Sequence, residues 1–332
     1  MKLEICKHRI RLHEPVRAAW GELRERVWFE VVLTGEDGVY GRGEAAPLEP
    51  YDGVSLESCR SALDAYAKVL AVRDYARGGE LLDACRAVAD LPQALAAVDL
   101  ALWDRAARRE GVPVARLLAE DPLDRVPVNA TIGALDRAGA ADAAARAAAA
   151  GFECVKVKVG AGDDAGRVAA VRAAAGPAMA LRLDANGAWS VDEAVRWIDA
   201  LAPAGLELVE EPCHGVEAVR AVRDRVSARI AIDETAAEPG ALAAGVADAI
   251  CLKISRCGGI SGVLAQAALA MAMGTDVYLA STYDGPLGIA GALHAAAALR
   301  VTLPCGLATL DDPGPLAPVD GAIAVPAGPG LL

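Results

Sequence analysis

The sequence predicts an α/β protein whose larger part is a closed (β/α) barrel, preceded by a segment of antiparallel strands and helices. Three observations carry this. From Val126 onward, short β-rich runs alternate with Ala-rich stretches. The runs are VPVNATIG, ECVKVKVG, MALRLDANG, LELVEEP, RIAIDET, AICLKIS, DVYLAS and CGLAT, about eight strands in roughly 185 residues. Within these runs, residues two apart share a face. Cys154, Lys156 and Lys158 lie opposite Val155, Val157 and Val159, Arg182 and Asp184 opposite Leu181 and Leu183, and Cys251 and Lys253 opposite Leu252 and Ile254. An open sheet covered by helices on both faces would make the polar row costly, whereas a barrel gives it a shared interior. Finally, Lys158, Asp184, Glu210, Asp233 and Lys253 recur at about 20 to 26 residues, one strand plus one helix, so they fall at the same rim.

The elements follow in order. Residues from Leu3 to about Tyr40 alternate and break at Gly35-Glu36-Asp37-Gly38, as antiparallel strands do, and Gly41-Arg-Gly-Glu44-Ala-Ala-Pro47 reads as a loop. Helices are expected from Ser55 to about Val72 and from Leu91 to about Arg109, where apolar residues recur at helical spacing. Pro122 and Pro127 mark the entry to the barrel. The expected division is an N-terminal unit over 1–125, a barrel over 126–309, and a Pro/Gly-rich tail over 310–332 that packs back on the first unit.

Bulk properties narrow the function. The chain has 332 residues, 54% hydrophobic composition and a mean hydropathy of +0.29, and no apolar run reaches the roughly 18 to 20 residues needed to span a bilayer. Its first residues lack the apolar core of a signal peptide, so a cytoplasmic location is expected. A net charge of −12 argues against a nucleic-acid partner. The eight cysteines have no Cys-x-x-Cys pair and read as free thiols. His8, His13, His214 and His294 form no ligand pair, and His294, among alanines, reads as a packing or surface residue.

The rim residues point to metal-assisted proton transfer. Mg²⁺ prefers oxygen ligands and keeps positions for water or substrate. Asp184, Glu210 and Asp233 offer three carboxylates from neighbouring strands. Glu211 and Glu234 compete with the residues before them, but alternation aligns Glu210 with Leu206 and Leu208, and Asp233 with Ala231, which favours the first set. A metal on a substrate carboxylate stabilises the anion formed when the adjacent carbon loses a proton. Lys158, with Lys156 beside it to lower its pKa, suits the base. Lys253 comes from the far side of the mouth and addresses the opposite face.

These motifs, Lys156-Val-Lys158, Asp184-Ala-Asn-Gly, Val-Glu210-Glu-Pro, Asp233-Glu-Thr and Lys253-Ile-Ser-Arg-Cys-Gly-Gly, together with Gly41–Pro47, resemble the enolase superfamily in its muconate-lactonizing-enzyme subgroup. The resemblance covers nearly the whole chain. It implies a (β/α)7β TIM-like barrel under an N-terminal α+β capping domain, and one Mg²⁺ (with Mn²⁺ able to substitute) on Asp184, Glu210 and Asp233. It also implies α-proton abstraction from a small-molecule carboxylate by Lys158 and Lys253, with Lys156 assisting. A homo-oligomer is compatible with it.

The subgroup includes dehydration by o-succinylbenzoate synthases in menaquinone synthesis, dipeptide epimerisation, N-acyl amino acid racemisation and muconate cycloisomerisation. Ala280–Ile289 and Cys305–Thr309 resemble the o-succinylbenzoate synthases most. Dipeptide epimerases carry an Asp-x-Asp pair for the substrate ammonium. Here the place reads Thr309-Leu310-Asp311-Asp312, which removes the first aspartate while Asp311 and Asp312 keep epimerisation open. Segments 20–26 and 44–51 resemble loops that close on a substrate tail. Substrate contacts are therefore expected from Arg24, Arg26, Tyr51, Asn186, Ser281, Asp311 and Asp312, with a solvated strand edge as the alternative for the two arginines.

Overall fold

The computed structural model describes residues 1–18, 21–73 and 77–332, so Trp20 lies outside the described residues. The chain opens with β1 (Lys2–Ala18), β2 (Gly21–Thr34) and β3 (Tyr40–Ala45), an antiparallel sheet in the order β1-β2-β3. Pairing of β1 with β2 runs from Lys2↔Thr34 to Arg11↔Glu25 and resumes, shifted, at Val16↔Leu23. Five helices follow: α1 (Glu49–Asp52), α2 (Leu56–Leu70), α3 (Gly78–Val88), α4 (Pro92–Glu110) and α5 (Val114–Leu118). Ser55 caps α2 through Ser58 N–H, and Pro92 and Gly111 bound α4 as helix start and stop signals.

Gly41–Pro47, expected as a loop, is mostly strand. The reason is tertiary. A Cβ on Gly41 would stand 2.0 Å from the Ala101 carbonyl oxygen, and one on Gly43 1.9 Å from that of Ala97. The glycines let β3 lie directly on α4, so they report close backbone approach rather than a turn. One face of the sheet then buries Phe29, Val31 and Leu33 against Leu63, Tyr66, Leu70 and Leu81 of the helices.

Past α5 the chain runs β4 (Arg125–Pro127), β5 (Ala130–Ile132), α6 (Arg137–Ala149), β6 (Cys154–Lys158), α7 (Asp164–Ala175), β7 (Ala180–Asp184), α8 (Val191–Leu201), β8 (Leu206–Glu210), α9 (Val216–Arg223), β9 (Ile230–Ile232), β10 (Ala249–Leu252), α10 (Ile254–Cys257), α11 (Ile260–Ala272), β11 (Asp276–Leu279), α12 (Pro286–Leu299) and β12 (Ala322–Ala324). Strands β5 to β11 form one curled parallel sheet in sequential order, with helices outside. The valines and leucines opposite the polar row enter one large apolar core, as the alternation requires.

The last run, CGLAT, forms no regular strand. Cys305 and Gly306 alone bridge the gap, Asn129 N–H donating to Cys305 O (3.0 Å) and Gly306 N–H to Leu279 O (2.8 Å). Between β9 and β10 two short 3₁₀ turns, Glu234–Ala237 and Ala241–Ala243, stand where a helix would complete the repeat.

The C-terminal segment returns along the outside. Strand β12 pairs antiparallel with β4, and Leu331 N–H donates to Asp104 of α4 at 2.6 Å. His294, buried in α12, is a packing residue with two bonds. Its Nδ1 accepts from Ala115 N–H (3.1 Å), which leaves the proton on Nε2 facing Leu331 O (3.0 Å). All eight cysteines are free. Among the described residues no helix is long and apolar enough to cross a membrane.

Candidate active site

The parallel register sets the charged strand ends side by side. Lys158 pairs with Asp184, Asp184 with Glu210, and Glu210 with Ala231, two residues before Asp233. Three carboxylates, each 3% exposed or less, thus crowd one end of the sheet together with three lysines. Lys156 Nζ lies 3.0 Å from Asp184 and 3.1 Å from Glu210, and Lys158 Nζ donates to Asp184 (2.6 Å) and to Asn186 Oδ1 (2.7 Å). On the far side Lys253 pairs with Asp233 and donates to Tyr51 OH at 2.8 Å. Three strands, β7 to β9, separate Lys158 from the β10 end that carries Lys253.

The electrostatics follow from this crowding. Burial raises the Glu210 carboxyl, and the Asp184 carboxylate raises it further despite Lys156. Asp184 is held well below the usual carboxylate range because Lys156 and Lys158 outweigh its burial. Asp233 is lowered in the same way by Lys253 and Arg256. Burial works against the charged forms of Lys156 and Lys253, but their carboxylate partners push both well above the ordinary lysine value.

This donor set fits a hard divalent cation. Oxygens of Glu210 and Asp233 approach within 4.8 Å of one another and of the Cys251 sulfur. Burial lifts that thiol far above its ordinary pKa, so it stays protonated and leaves the oxygens as ligands. Three buried carboxylates side by side repel one another, and a cation among them would relieve that repulsion and loosen the hold on the lysines.

The competing glutamates have other partners. Glu211 accepts from the backbone N–H groups of Asp233 and Thr235 (2.8 and 3.0 Å), the Thr235 hydroxyl and His214, which anchors the turn after β9. Glu234, pushed up to about 8 by burial and by Asp233, accepts from Asn186 Nδ2 at 3.0 Å.

An inner chamber opens over these groups, lined by Leu48, Tyr51, Lys156, Lys158, Asp184, Asn186, Asp233, Lys253 and the 280–283 loop. Of the expected substrate contacts, Tyr51, Asn186 and Ser281 line it. Asp311 lines an adjoining outer chamber, and Asp312 is exposed and lines neither.

The arginine expectation is corrected. Segment 21–26 belongs to β2 rather than to a loop. Arg24 is 63% exposed and paired with Glu22, so it sits on a solvated edge. Arg26 is buried, and its guanidinium donates to five backbone carbonyls: Val27, Ala46, Pro47, Thr282 and Tyr283. It holds the cap on the barrel and lines neither chamber.

Sequence reasoning missed Thr131, Tyr283 and Thr309, which line both chambers. It also missed a functional consequence of Arg256, whose guanidinium reaches Tyr51 OH (2.9 Å) and Glu234 O (3.0 Å). The Arg256 signal was present, an arginine three residues after Lys253 on one turn of α10. A register shift in β8 falls at Glu207, which meets the fully buried Arg182 at 2.5 Å.

Residues 1–119 match the family model of the mandelate racemase / muconate lactonizing enzyme N-terminal domain, and residues 139–331 the enolase C-terminal domain-like model. The o-succinylbenzoate synthase of Thermobifida fusca is 41% identical over 220 residues, 61% of this chain and 67% of that protein. The L-Ala-D/L-Glu epimerase of Bacillus subtilis is 31% identical over 313 residues, 90% of this chain and 85% of the other. Among solved structures, the dipeptide epimerase of Enterococcus faecalis complexed with Mg and L-Leu-L-Tyr superposes with a TM-score of 0.91 at 27% identity, covering 99% of this chain and 98% of that one. The chain is an enzyme of the enolase superfamily, similar to lyases and epimerases within it.

Proposed function

We propose that the enzyme removes the α-proton of a small carboxylate, and that Asp184, Glu210 and Asp233 hold one Mg²⁺, for which Mn²⁺ can substitute. The observation that carries this is the pair of lysines, Lys158 and Lys253, on opposite sides of three buried carboxylates. The bound cation would polarise the substrate carboxylate and offset the charge gained as the proton leaves. Lys158 Nζ takes the proton. Lys156, between Asp184 and Glu210, adds positive charge where the substrate carboxylate docks. Residues 1–125 act as the capping domain, 126–309 as the catalytic barrel and 310–332 as a tail returning to the cap. A reducing cytoplasm suits eight free thiols.

The specific reaction we propose is dehydration of a cyclohexadiene carboxylate to o-succinylbenzoate, a step of menaquinone synthesis. Elimination needs one base on one face, because protonated Lys158 can return its proton to the departing hydroxyl as the C–O bond breaks, releasing water. Lys253 is held as a cation by Asp233 and lies 4.9 Å from the centre of the Tyr51 ring, which suits it to stabilising the developing anion rather than to moving a proton. At the rim Ser281 and Thr309 share a 2.7 Å hydroxyl bond at a place where an ammonium clamp needs carboxylate. The 41% identity to the Thermobifida fusca synthase supports the same reading.

Dipeptide epimerisation is the second reading, supported by Asp311 at the outer chamber and by epimerases that match nearly the whole chain. Incubation in D₂O with the dehydration substrate, acidic and hydrophobic dipeptides, and N-succinyl amino acids separates the two. Formation of o-succinylbenzoate is expected. Deuterium incorporation with inversion in a dipeptide, and no o-succinylbenzoate, would replace the first reading by the second.

A further inference from the structure

The inner and outer chambers share four lining residues: Thr131, Lys158, Tyr283 and Thr309. Tyr283 has the one large apolar side chain among them, so its ring forms the bulk of the partition. Its backbone adopts φ +56°, a strained region that non-glycine residues hold only where the surroundings impose it.

The surroundings here come mostly from the cap. Arg26 of β2 donates to the carbonyls of Thr282 (3.2 Å) and Tyr283 (3.0 Å). Glu44 of β3 accepts from Gly285 N–H (2.5 Å) and Gly288 N–H (3.3 Å) at the start of α12. That approach requires Gly285, where a Cβ would meet Glu44 at 2.6 Å and the Trp28 ring at 2.8 Å. Within the barrel loop, Ser281 Oγ accepts from Tyr283 N–H, and Asp284 from the Thr282 hydroxyl (2.9 Å). The Tyr283 side chain packs on a small apolar cluster made by Leu12, Leu23 and Leu48 of the cap. Arg26 and Glu44, on neighbouring cap strands, thus grip both sides of one barrel residue.

We infer that Tyr283, locked in this conformation from the cap by Arg26 and Glu44, is the specificity-determining residue that sets how large a substituent on the substrate α-carbon can pass from the inner to the outer chamber. The inference rests on the α-proton reading of the inner chamber. The ring acts by bulk. Its removal joins the two chambers, while loss of the hydroxyl alone leaves the partition standing.

The test uses Y283G, because glycine adopts φ +56° without strain and keeps the loop path. Y283S serves as a second small variant and Y283F as the control that keeps the ring. N-succinyl-L-alanine, N-succinyl-L-leucine and N-succinyl-L-phenylalanine are titrated calorimetrically into the Mg²⁺-loaded full-length proteins, and α-proton exchange is followed in D₂O. The small variants should shift the ratio of Kd values toward phenylalanine over alanine by at least about tenfold, the range expected when pocket bulk is removed. Y283F should keep the wild-type order. An unchanged order in both small variants, or a shift in Y283F as large as theirs, overturns the inference. Binding that reorders while none of the proteins forms o-succinylbenzoate from the dehydration substrate or exchanges an α-proton would retain the partition and overturn the proton-abstraction reading instead.

Discussion

The hydroxyl of Tyr51 donates to both carboxylate oxygens of Asp233 at 3.0 Å, joining the first helical turn of the cap to a proposed metal ligand 182 residues away. The same oxygen accepts from Lys253 and Arg256, so one cap residue touches a ligand, the second lysine and the arginine behind them. The cap therefore completes the inner chamber as well as covering it.

Tyr51→Phe removes that shared oxygen while keeping the ring over Lys253. Buried Lys253, half-buried Arg256 and Asp233 each lose one hydrogen-bond partner while keeping their ion pairs, and a hydrogen bond to a charged group is worth about 1.5 to 3 kcal/mol. Turnover should fall roughly tenfold to a hundredfold if the bonds matter most in the transition state, and melting temperature should drop by a few degrees at most. Steady-state kinetics beside a thermal melt check this, and unaltered kcat would remove Tyr51 from the working site.

Asp233→Asn keeps the shape of the side chain and deletes a charge from the proposed cation site. Wild-type protein should gain stability with added Mg²⁺, by about 2.7 kcal/mol at a hundredfold excess over Kd, and the variant should gain far less. Melting curves across a Mg²⁺ titration read this directly. Equal gains in both proteins would place the cation elsewhere.

Lys158→Ala removes the proposed base. The loss should be about two to four orders of magnitude in rate on the true substrate. Stopped-flow or product assays at saturating Mg²⁺ measure it, and wild-type turnover in this variant would refute the proton path.

His294 makes acid stability testable. Burial lowers its pKa from 6.5 to about 4, because a charged ring cannot keep both bonds to Ala115 N–H and Leu331 O. The unfolded chain takes up the proton first as pH falls. The stabilisation is therefore complete above about pH 6.5, declines as pH drops toward 4, and is level below that. The drop should amount to about 3 kcal/mol at 1.36 kcal/mol per pKa unit. Urea denaturation of wild type and His294→Gln across this range isolates it, since glutamine does not titrate. Parallel curves would show that the ring is not the responsible group.

Gly43→Ala probes the contact of strand on helix. The added methyl would stand 1.9 Å from a backbone oxygen of α4, which cannot move without shifting the helix. Destabilisation of about 1 to 3 kcal/mol or more is expected in urea, against a near-neutral effect at the open Gly78.

Much of the barrel and its rim was legible in the residues themselves. Alternation within β6, β7 and β10 separates Lys156, Arg182, Asp184 and Cys251 from the valines and leucines on the other face, because a strand turns each successive side chain by half a revolution wherever it lies. The βα period likewise brings Asp184, Glu210 and Asp233 to one end, since parallel strands share a direction. What local pattern could not express was decided by partners distant in the chain. Gly41 and Gly43 read as a turn until α4 presses against them. Arg26 reads as a substrate contact or a solvated strand edge until five carbonyls from three segments converge on it. Tyr283 reads as one more loop residue until Arg26, Glu44 and a patch of cap leucines hold it between two chambers. In each case the energy lies in contacts between segments distant in the chain, within the cap for the two glycines and between cap and barrel for Arg26 and Tyr283, and such contacts leave no periodic trace in either segment alone.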